Sequence, residues 1–295
     1  MPFLNGVVQE YMSRQGKQIR PLLVILSAEL LGKVNERTLH AGAAIEILHN
    51  ATLVHDDVID QSDLRRGKPT VNAVWDNHIA VLTGDYLVSR ALQESTLAES
   101  LEIIRTMSRL ADQLSEGELH QIFQARDHDF SMRKYARTIG MKTAILFESC
   151  VRMSAESVGI SPEEASKLVR YAYYMGICFQ IKDDVFDYLD NGKIGKPVGN
   201  DLREGKVTLP LLFALHASDK TGCQEIKSLL EKDELKDEDV KSLTDFAISH
   251  GGIEFSYRVM NRLREKALRC LKEYRDCEAR KDLEEIFTFI IDRDH

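Results

Sequence analysis

Apolar residues recur at spacings of three and four through most of this chain, a pattern typical of amphipathic helices. Examples are Leu22, Leu26 and Leu30 near the start and Phe287 and Ile290 near the end. Only 6 prolines and 17 glycines interrupt 295 residues, so the helices can be long. Strand-type alternation is not sustained anywhere. The sequence therefore predicts one all-α domain that spans residues 1–295.

An acidic pattern, Asp-Asp-x-x-Asp, occurs twice in the chain, and each copy follows an apolar segment. Residues four apart on a helix share a face, so the first and last aspartates of each copy point the same way. Carboxylates packed this closely repel one another unless water or a hard cation lies among their oxygens. Two copies make chance a poor explanation. The pattern predicts metal ligands at Asp56, Asp57, Asp60, Asp183, Asp184 and Asp187.

Cationic residues follow each acidic pattern, in the stretches 63–70 and 192–206. Carboxylates bind Mg²⁺ through oxygen, and Mg²⁺ keeps positions free for phosphate oxygens. Arginine and lysine bind the remaining phosphate oxygens directly. Because the chain has no Gly-rich Walker loop, a nucleotide is not implied. The combination predicts a site for a diphosphate, with Mg²⁺ as the cofactor.

Charge and composition exclude several classes of function. The net charge is −8 with no basic block, so nucleic acid is a poor candidate partner. The 5 cysteines are scattered, as expected for free thiols in a reducing compartment. We find no signal peptide and no apolar run long enough to cross a bilayer. These features predict a cytoplasmic protein without a transmembrane segment.

Several short blocks occur in the order typical of one enzyme family: Gly16–Pro21, Glu46–His49, Asp56–Asp60, Arg65–Thr70, Gly84–Leu87, Lys142–Thr143, Phe179–Asp184 and Gly205–Pro210. On these blocks the chain resembles the trans-polyprenyl diphosphate synthases. The resemblance runs from about Gly16 onward. It implies an isoprenoid synthase bundle of roughly ten or more antiparallel helices around a deep central cavity. It also implies a homodimer.

The resemblance implies head-to-tail prenyl transfer from an allylic diphosphate, farnesyl or geranylgeranyl, to isopentenyl diphosphate. Ionisation of the allylic diphosphate gives a cation, the isopentenyl double bond attacks it, and a proton is lost. The implied catalytic residues are Asp56, Asp57, Asp60, Asp183, Lys142 and Lys206. Those implied for the allylic diphosphate are Arg65, Lys142, Thr143, Gln180, Lys196 and Lys206. Those implied for isopentenyl diphosphate are Lys17, Arg20, His49 and Arg66.

The chain departs from the family pattern near its start. Gln18 stands where the family often has arginine, which removes one cation from the isopentenyl site. The first block also begins close to the start of the chain, whereas relatives usually carry an additional helix before it. The resemblance therefore implies a shortened N-terminal helix.

Two small residues before the first acidic pattern predict the length of the product. Thr52 lies one turn before Asp56 on the same face of the helix, and Ala51 lies beside it. A bulky aromatic residue at this level limits chain growth in short-product members of the family. We therefore expect a long-chain product, in the hexaprenyl to octaprenyl range. Phe123 is a candidate for a deeper floor.

Four alternatives remain open at this point. A geranylgeranyl or farnesyl diphosphate synthase would share every motif. A non-catalytic subunit of a heteromeric prenyl synthase would share the fold, although such subunits typically lose the aspartates. A class I terpene cyclase usually has one aspartate motif of this type. A phosphohydrolase built on His55 and Asp56 would need further histidine ligands.

Overall fold

The structure is a computed structural model that describes residues 6–8, 11, 16–65, 67–189, 199–232 and 234–293. Helices dominate this part of the chain, which confirms the all-α prediction. The α helices are α1 (Ile19–Leu31), α2 (Glu36–Ile59), α3 (Val71–Val74), α4 (Asn77–Leu97), α5 (Leu101–Arg126), α6 (Met132–Ile139), α7 (Ile145–Ser157), α8 (Pro162–Phe186), α9 (Asn200–Arg203), α10 (Leu209–Ala217), α11 (Lys220–Leu230), α12 (Asp237–Ser249), α13 (Gly252–Leu271) and α14 (Glu278–Asp292).

Two short strands follow the first acidic pattern. Strands β1 (Leu64–Arg65) and β2 (Lys68–Pro69) pair in antiparallel fashion, with Arg65 opposite Lys68. With two residues each, they were too short to produce an alternating signal in the sequence. The cationic stretch 63–70 therefore contains a small hairpin.

The chain divides into two compact units. The first unit comprises Met1–Arg109, Ser149–Val169 and Tyr274–Leu283. The second comprises Leu110–Glu148, Arg170–Glu273 and Glu284–His295. The first acidic pattern lies in the first unit and the second pattern in the second. The prediction of a single domain stays a prediction.

In the first unit, helix α2 carries the first acidic pattern. Asn35 caps its start, because the Asn35 side chain accepts from the Thr38 amide at 3.1 Å while the Thr38 hydroxyl accepts from the Asn35 amide. Helix α2 packs along α4. At the closest approach a side chain at Gly84 would collide with the ring of His55. This packing fixes the half of α2 that ends in the aspartates.

In the second unit, a short π-helix at Gly140–Ala144 joins α6 to α7. Such segments are uncommon and often lie at functional sites. Two neighbouring helices approach its backbone closely at glycines. A Cβ atom at Gly117 would lie 2.9 Å from the Lys142 amide nitrogen, and one at Gly176 would lie 2.6 Å from the Ala144 Cα. This close packing holds Lys142 and Thr143 in place.

Among the residues that the structure describes, no helix is both long and apolar enough to cross a membrane.

Candidate active site

The two acidic patterns share one arrangement of their side chains. In each, the middle aspartate is buried and the two outer aspartates are half-buried. Asp57 is 1% exposed and Asp184 is 2% exposed. A buried carboxylate needs hydrogen-bond partners inside the protein, whereas a half-buried one can also reach a ligand. The outer aspartates are therefore the better placed to reach a ligand, and the middle ones are the better placed to support them.

In the first pattern, the buried aspartate is held by a cation. Arg65, on β1, donates from Nε to Asp57 Oδ1 at 2.6 Å. The Asp57 backbone carbonyl accepts from the Ser62 amide at 2.9 Å, and Asn72 donates to it at 3.5 Å. Contacts of Asp57 thus hold the hairpin against the end of α2. Arg65 was predicted from its place in the sequence, but its contact with Asp57 was not.

In the second pattern, the buried aspartate is held by neutral groups. The Tyr135 hydroxyl donates to Asp184 Oδ2 at 2.5 Å, and Gln180 donates from Nε2 to Asp184 Oδ1 at 2.8 Å. Burial, reinforced by the charge of Asp201, raises the pKa of Asp184 to about 8. Burial and the neighbouring Asp184 also raise the pKa of Tyr135 well above its usual range.

The outer aspartates of the second pattern have partners as well. Arg293, just past α14, donates to Asp183 Oδ1 at 2.5 Å, and its guanidinium lies 4.2 Å from the Phe179 ring. Asp187 accepts from the backbone amides of Asn200 and Asp201 at 2.9 and 3.1 Å, so it fastens the start of α9. No local pattern in the sequence pointed to Arg293, because the contact joins residues that are far apart in the chain.

Two predicted diphosphate-binding lysines of the second unit are paired with acids. Lys142 on the π-helix forms an ion pair with Glu118 of α5 and lies 3.4 Å from Gln121 Oε1. Lys206 donates to Glu204 Oε2 at 2.6 Å. Glu118 was missed in the sequence, whereas Glu204 lies only two residues before its lysine and was visible there. Each lysine therefore has an internal counterion that a diphosphate would have to replace.

The predicted isopentenyl residues that the structure describes lie in the first unit. Lys17 is exposed, and Arg20 and His49 are half-buried. Burial raises the pKa of the Cys150 thiol to about 12, and the charge of Arg20 acts against this rise. Arg20 on α1 therefore lies near α7. Arg66 and Lys196 lie outside the residues that the structure describes.

The two predicted length-determining residues occupy different environments. Ala51 is fully buried in an apolar cluster with Val54, Val71, Ala80 and Leu87. Thr52 is half-buried, and its hydroxyl donates to the His49 carbonyl at 2.8 Å. That bond satisfies the hydroxyl within the helix. Thr52 therefore offers mainly its methyl group to the face that it shares with Asp56.

The donor chemistry of the outer aspartates fits Mg²⁺. Over the part of the chain that the structure describes, no three His, Cys, Asp or Glu side chains converge on one point as a ready-made metal site. Mg²⁺ is commonly held by one or two carboxylates and completes its coordination with water and substrate phosphates. Half-buried carboxylates, with predicted diphosphate-binding cations in the same unit, suit an ion that arrives with its substrate.

A separate cleft of about 770 Å³ lies in the second unit. It is lined by residues 127–133 together with Leu215, His216 and Lys227. None of the predicted site residues lines it.

Comparison with known proteins identifies the family. The polyprenyl synthetase family model matches residues 1–247. This chain belongs to the polyprenyl synthetase family. The match confirms the family predicted from the sequence blocks, and with it a prenyltransferase enzyme.

Individual relatives agree with this assignment. The octaprenyl diphosphate synthase of Escherichia coli is 41% identical over 230 residues, which cover 78% of this chain and 71% of that protein. A decaprenyl diphosphate synthase from Rhodobacter capsulatus superposes with a TM-score of 0.92 at 31% identity, covering 99% of this chain and 90% of that one. A geranylgeranyl pyrophosphate synthase from Bacteroides thetaiotaomicron gives 0.88 at 37% identity, covering 99% and 93%. The isoprenoid synthase fold is therefore confirmed.

Proposed function

We propose that this chain extends an allylic diphosphate, farnesyl or geranylgeranyl, with isopentenyl diphosphate units to a long all-trans polyprenyl diphosphate. One observation carries the proposal. Each Asp-Asp-x-x-Asp pattern has half-buried outer carboxylates and a middle carboxylate that contacts predicted diphosphate-binding residues of its own unit. Arg65 pairs with Asp57, and Thr143 and Gln180 form a hydrogen-bond chain to Asp184. Family membership supplies the reaction class, and the name of the E. coli relative supports a long product.

Asp56, Asp60 and Asp183 are the proposed ligands of Mg²⁺, and the buried Asp57 and Asp184 support them. Asp187 is also assigned a supporting role, although it is an outer aspartate, because its carboxylate accepts from the backbone amides of Asn200 and Asp201. When bound, Mg²⁺ would offset the negative charge of the diphosphate and so make it a better leaving group. The protein contributes by holding the carboxylates in position. In the second pattern, contacts from Arg293, Tyr135, Gln180 and the backbone amides of α9 support that role.

The proposed diphosphate-binding cations act by exchanging partners. Lys142 and Lys206 would leave Glu118 and Glu204 for the oxygens of the allylic diphosphate, whose greater charge favours the exchange. Arg65 and Lys196 would assist there. Gln180 would complete the site by direct contact, and Thr143 would contribute by holding the Gln180 amide. Lys17, Arg20, His49 and Arg66 would hold the diphosphate of isopentenyl diphosphate, which lacks the metal.

The proposed product has six to eight isoprene units. Support comes from Thr52, whose small side chain shares a helix face with Asp56. Ala51 acts through packing, because a larger side chain there would displace the buried cluster on α4. A geranylgeranyl product is the alternative outcome, favoured by the similarity to the B. thetaiotaomicron enzyme.

We propose that the chain forms a homodimer through α4 and the start of α5. This surface exposes large apolar side chains that water disfavours: Val81, Leu82, Leu92, Leu97 and Leu101. Light scattering after size exclusion should give twice the 33.5 kDa mass of the chain. A single-chain mass at micromolar concentration would contradict the proposal.

The experiment that tests the function is a product assay. Purified protein is incubated with labelled isopentenyl diphosphate, farnesyl diphosphate and Mg²⁺, and the dephosphorylated products are separated by length. We expect a ladder that ends at six to eight isoprene units and vanishes when Mg²⁺ is chelated. No extension of farnesyl diphosphate would overturn the proposed function, and a ladder ending at four units would replace the long product with geranylgeranyl.

A further inference from the structure

Tyr135 lies against the second acidic pattern, although no sequence motif placed it there. It belongs to α6, is 8% exposed, and directs its hydroxyl at Asp184 Oδ2 over 2.5 Å. A buried tyrosine hydroxyl needs an acceptor, and many core tyrosines use a backbone carbonyl. This one uses the middle carboxylate of a proposed magnesium-binding pattern.

The other oxygen of Asp184 ends a chain of hydrogen bonds. Gln180 donates to it from Nε2 at 2.8 Å, and the Thr143 hydroxyl donates to Gln180 Oε1 at 2.7 Å. The chain of donation therefore runs from Thr143 through Gln180 to Asp184, with Tyr135 donating from the opposite side. When Asp184 is ionised, both of its oxygens accept, and the carboxylate then sets the orientation of the Gln180 amide.

That orientation has a consequence for the diphosphate. Thr143 uses its one proton on Gln180, so its hydroxyl has none left for a phosphate oxygen. Gln180 uses one of its two Nε2 protons on Asp184 and keeps the second. A reversed amide would direct Oε1, an acceptor, toward Asp184, and the phosphate oxygens would lose this ordered donor. Asp184, which ends this hydrogen-bond chain, thus determines whether Gln180 presents an N–H donor to a phosphate oxygen.

In the first pattern, the buried middle aspartate is held by a charged residue. There Arg65 holds Asp57 and is itself a proposed ligand of the allylic diphosphate. In the second pattern the holding group is a phenol, packed in the interior on α6. Tyr135 can therefore act on the diphosphate through Asp184 and Gln180.

We propose that Tyr135 is a positioning residue for the allylic diphosphate. Its hydroxyl fixes Asp184 as the acceptor that ends the hydrogen-bond chain, so that Gln180 presents its remaining N–H to the diphosphate. The inference rests on the proposed function, because it assigns Tyr135 to the same site.

The test is Tyr135→Phe, which removes the hydroxyl and keeps the ring. We expect the KM for farnesyl diphosphate to rise by about tenfold, as for a lost hydrogen bond to a charged group. The KM for isopentenyl diphosphate and kcat should change by less than about threefold. Calorimetry of Mg²⁺-pyrophosphate binding, which involves no turnover, should show a loss of affinity by a similar factor.

The matched control is Tyr171→Phe, which also removes a fully buried phenol, on α8, the helix that carries Gln180. It should leave the KM for farnesyl diphosphate and the pyrophosphate affinity unchanged. The double variant Tyr135→Phe with Asp184→Asn should bind pyrophosphate no more weakly than Asp184→Asn alone, because both changes break the same chain.

Three results would overturn the inference. The first is unchanged pyrophosphate affinity in folded Tyr135→Phe, and the second is additivity in the double variant. If Tyr135→Phe does not fold, 3-fluorotyrosine at position 135 keeps the shape and strengthens the donor; an unchanged KM for farnesyl diphosphate is then the third. If the wild-type protein fails to extend farnesyl diphosphate, the proposed function fails instead, and the variants are not the cause.

Discussion

The two acidic patterns have the same sequence form but are held by different chemistry. In the first unit, Asp57 is neutralised by the guanidinium of Arg65 at 2.6 Å. In the second unit, Asp184 is buried among the neutral donors Tyr135 and Gln180, and its pKa rises to about 8. The first pattern is stabilised by a charge pair. In the second pattern, burial destabilises the ionised form of the Asp184 carboxylate. Equal motifs therefore need not respond equally to substitution or to pH.

The helices before the two patterns also differ. One turn before the first aspartate, α2 carries the small Thr52, while α8 carries Phe179 at the same spacing. Phe179 is packed against Phe147 at 5.4 Å and under the guanidinium of Arg293. Only the first helix has a small residue there. We therefore propose that α2 controls product length and that the aromatic packing of α8 supports the metal ligands.

The largest expected effect comes from the outer aspartates. Asp56→Asn and Asp183→Asn should each lower kcat by about 10³-fold or more, because a ligand of a catalytic ion contributes several kcal/mol to the transition state. Initial rates with farnesyl and isopentenyl diphosphates at saturating Mg²⁺ measure this. Arg280→Lys, which alters an arginine that donates to Tyr274 and Asp276, is the control and should keep its rate. A fall below tenfold in either aspartate variant would contradict the proposed roles.

The next effect is a change of product. Thr52→Phe should shorten the product by several isoprene units, since an aromatic ring one turn before Asp56 blocks the growing chain. Thr52→Val, which changes the side chain while keeping it small, should leave the ladder unchanged. Separation of the dephosphorylated products measures both. If Thr52→Phe still gives products of full length, α2 does not control product length.

A third prediction compares how replacing each buried aspartate changes the thermal stability of the protein. Asp57→Asn should lower the melting temperature of the metal-free protein by several degrees, because Arg65 loses its charged partner. Asp184→Asn should raise it at pH 8, because it removes a carboxylate that is costly to bury. Scanning fluorimetry in EDTA measures both shifts. Shifts of the same sign would mean that the two sites are held alike.

The smallest expected effect is the pH dependence of that difference. The pKa of Asp184 is about 8 in the folded protein, against 3.8 for an ordinary aspartate. The folded state thus binds this proton more tightly, so the stability contributed by Asp184 falls as pH rises from about 4 to about 8. The gap in melting temperature between Asp184→Asn and wild type should widen from pH 6 to pH 8 and then level off. A constant gap would contradict the raised pKa.

The all-α fold was predictable from the sequence because helical periodicity is a local property that few prolines or glycines interrupt. The sequence could nominate the aspartates, Arg65, Lys142 and Lys206 because these lie in short blocks of fixed spacing, and their roles stay predictions. Sequence reasoning missed Tyr135, Glu118 and Arg293, which reach the predicted residues from other helices or from beyond α14. Such contacts depend on tertiary packing, which spacing along one helix does not encode.

The environments of Ala51 and Thr52 illustrate the same limit. Both are small and adjacent, so the sequence assigned them one role. The structure buries Ala51 against α4 and leaves Thr52 half-buried on the face of Asp56. The packing of α2 decides which of these two adjacent residues faces α4.

The most direct test of the account is a titration of Mn²⁺ in the presence of pyrophosphate, with free Mn²⁺ measured by electron paramagnetic resonance. We expect Asp56→Asn and Asp183→Asn to reduce the number of bound ions. Asp57→Asn and Asp184→Asn should keep that number and weaken affinity, because their carboxylates support the outer ones. If the middle variants lose ions while the outer variants retain them, the division of each pattern into outer ligands and a buried support is wrong.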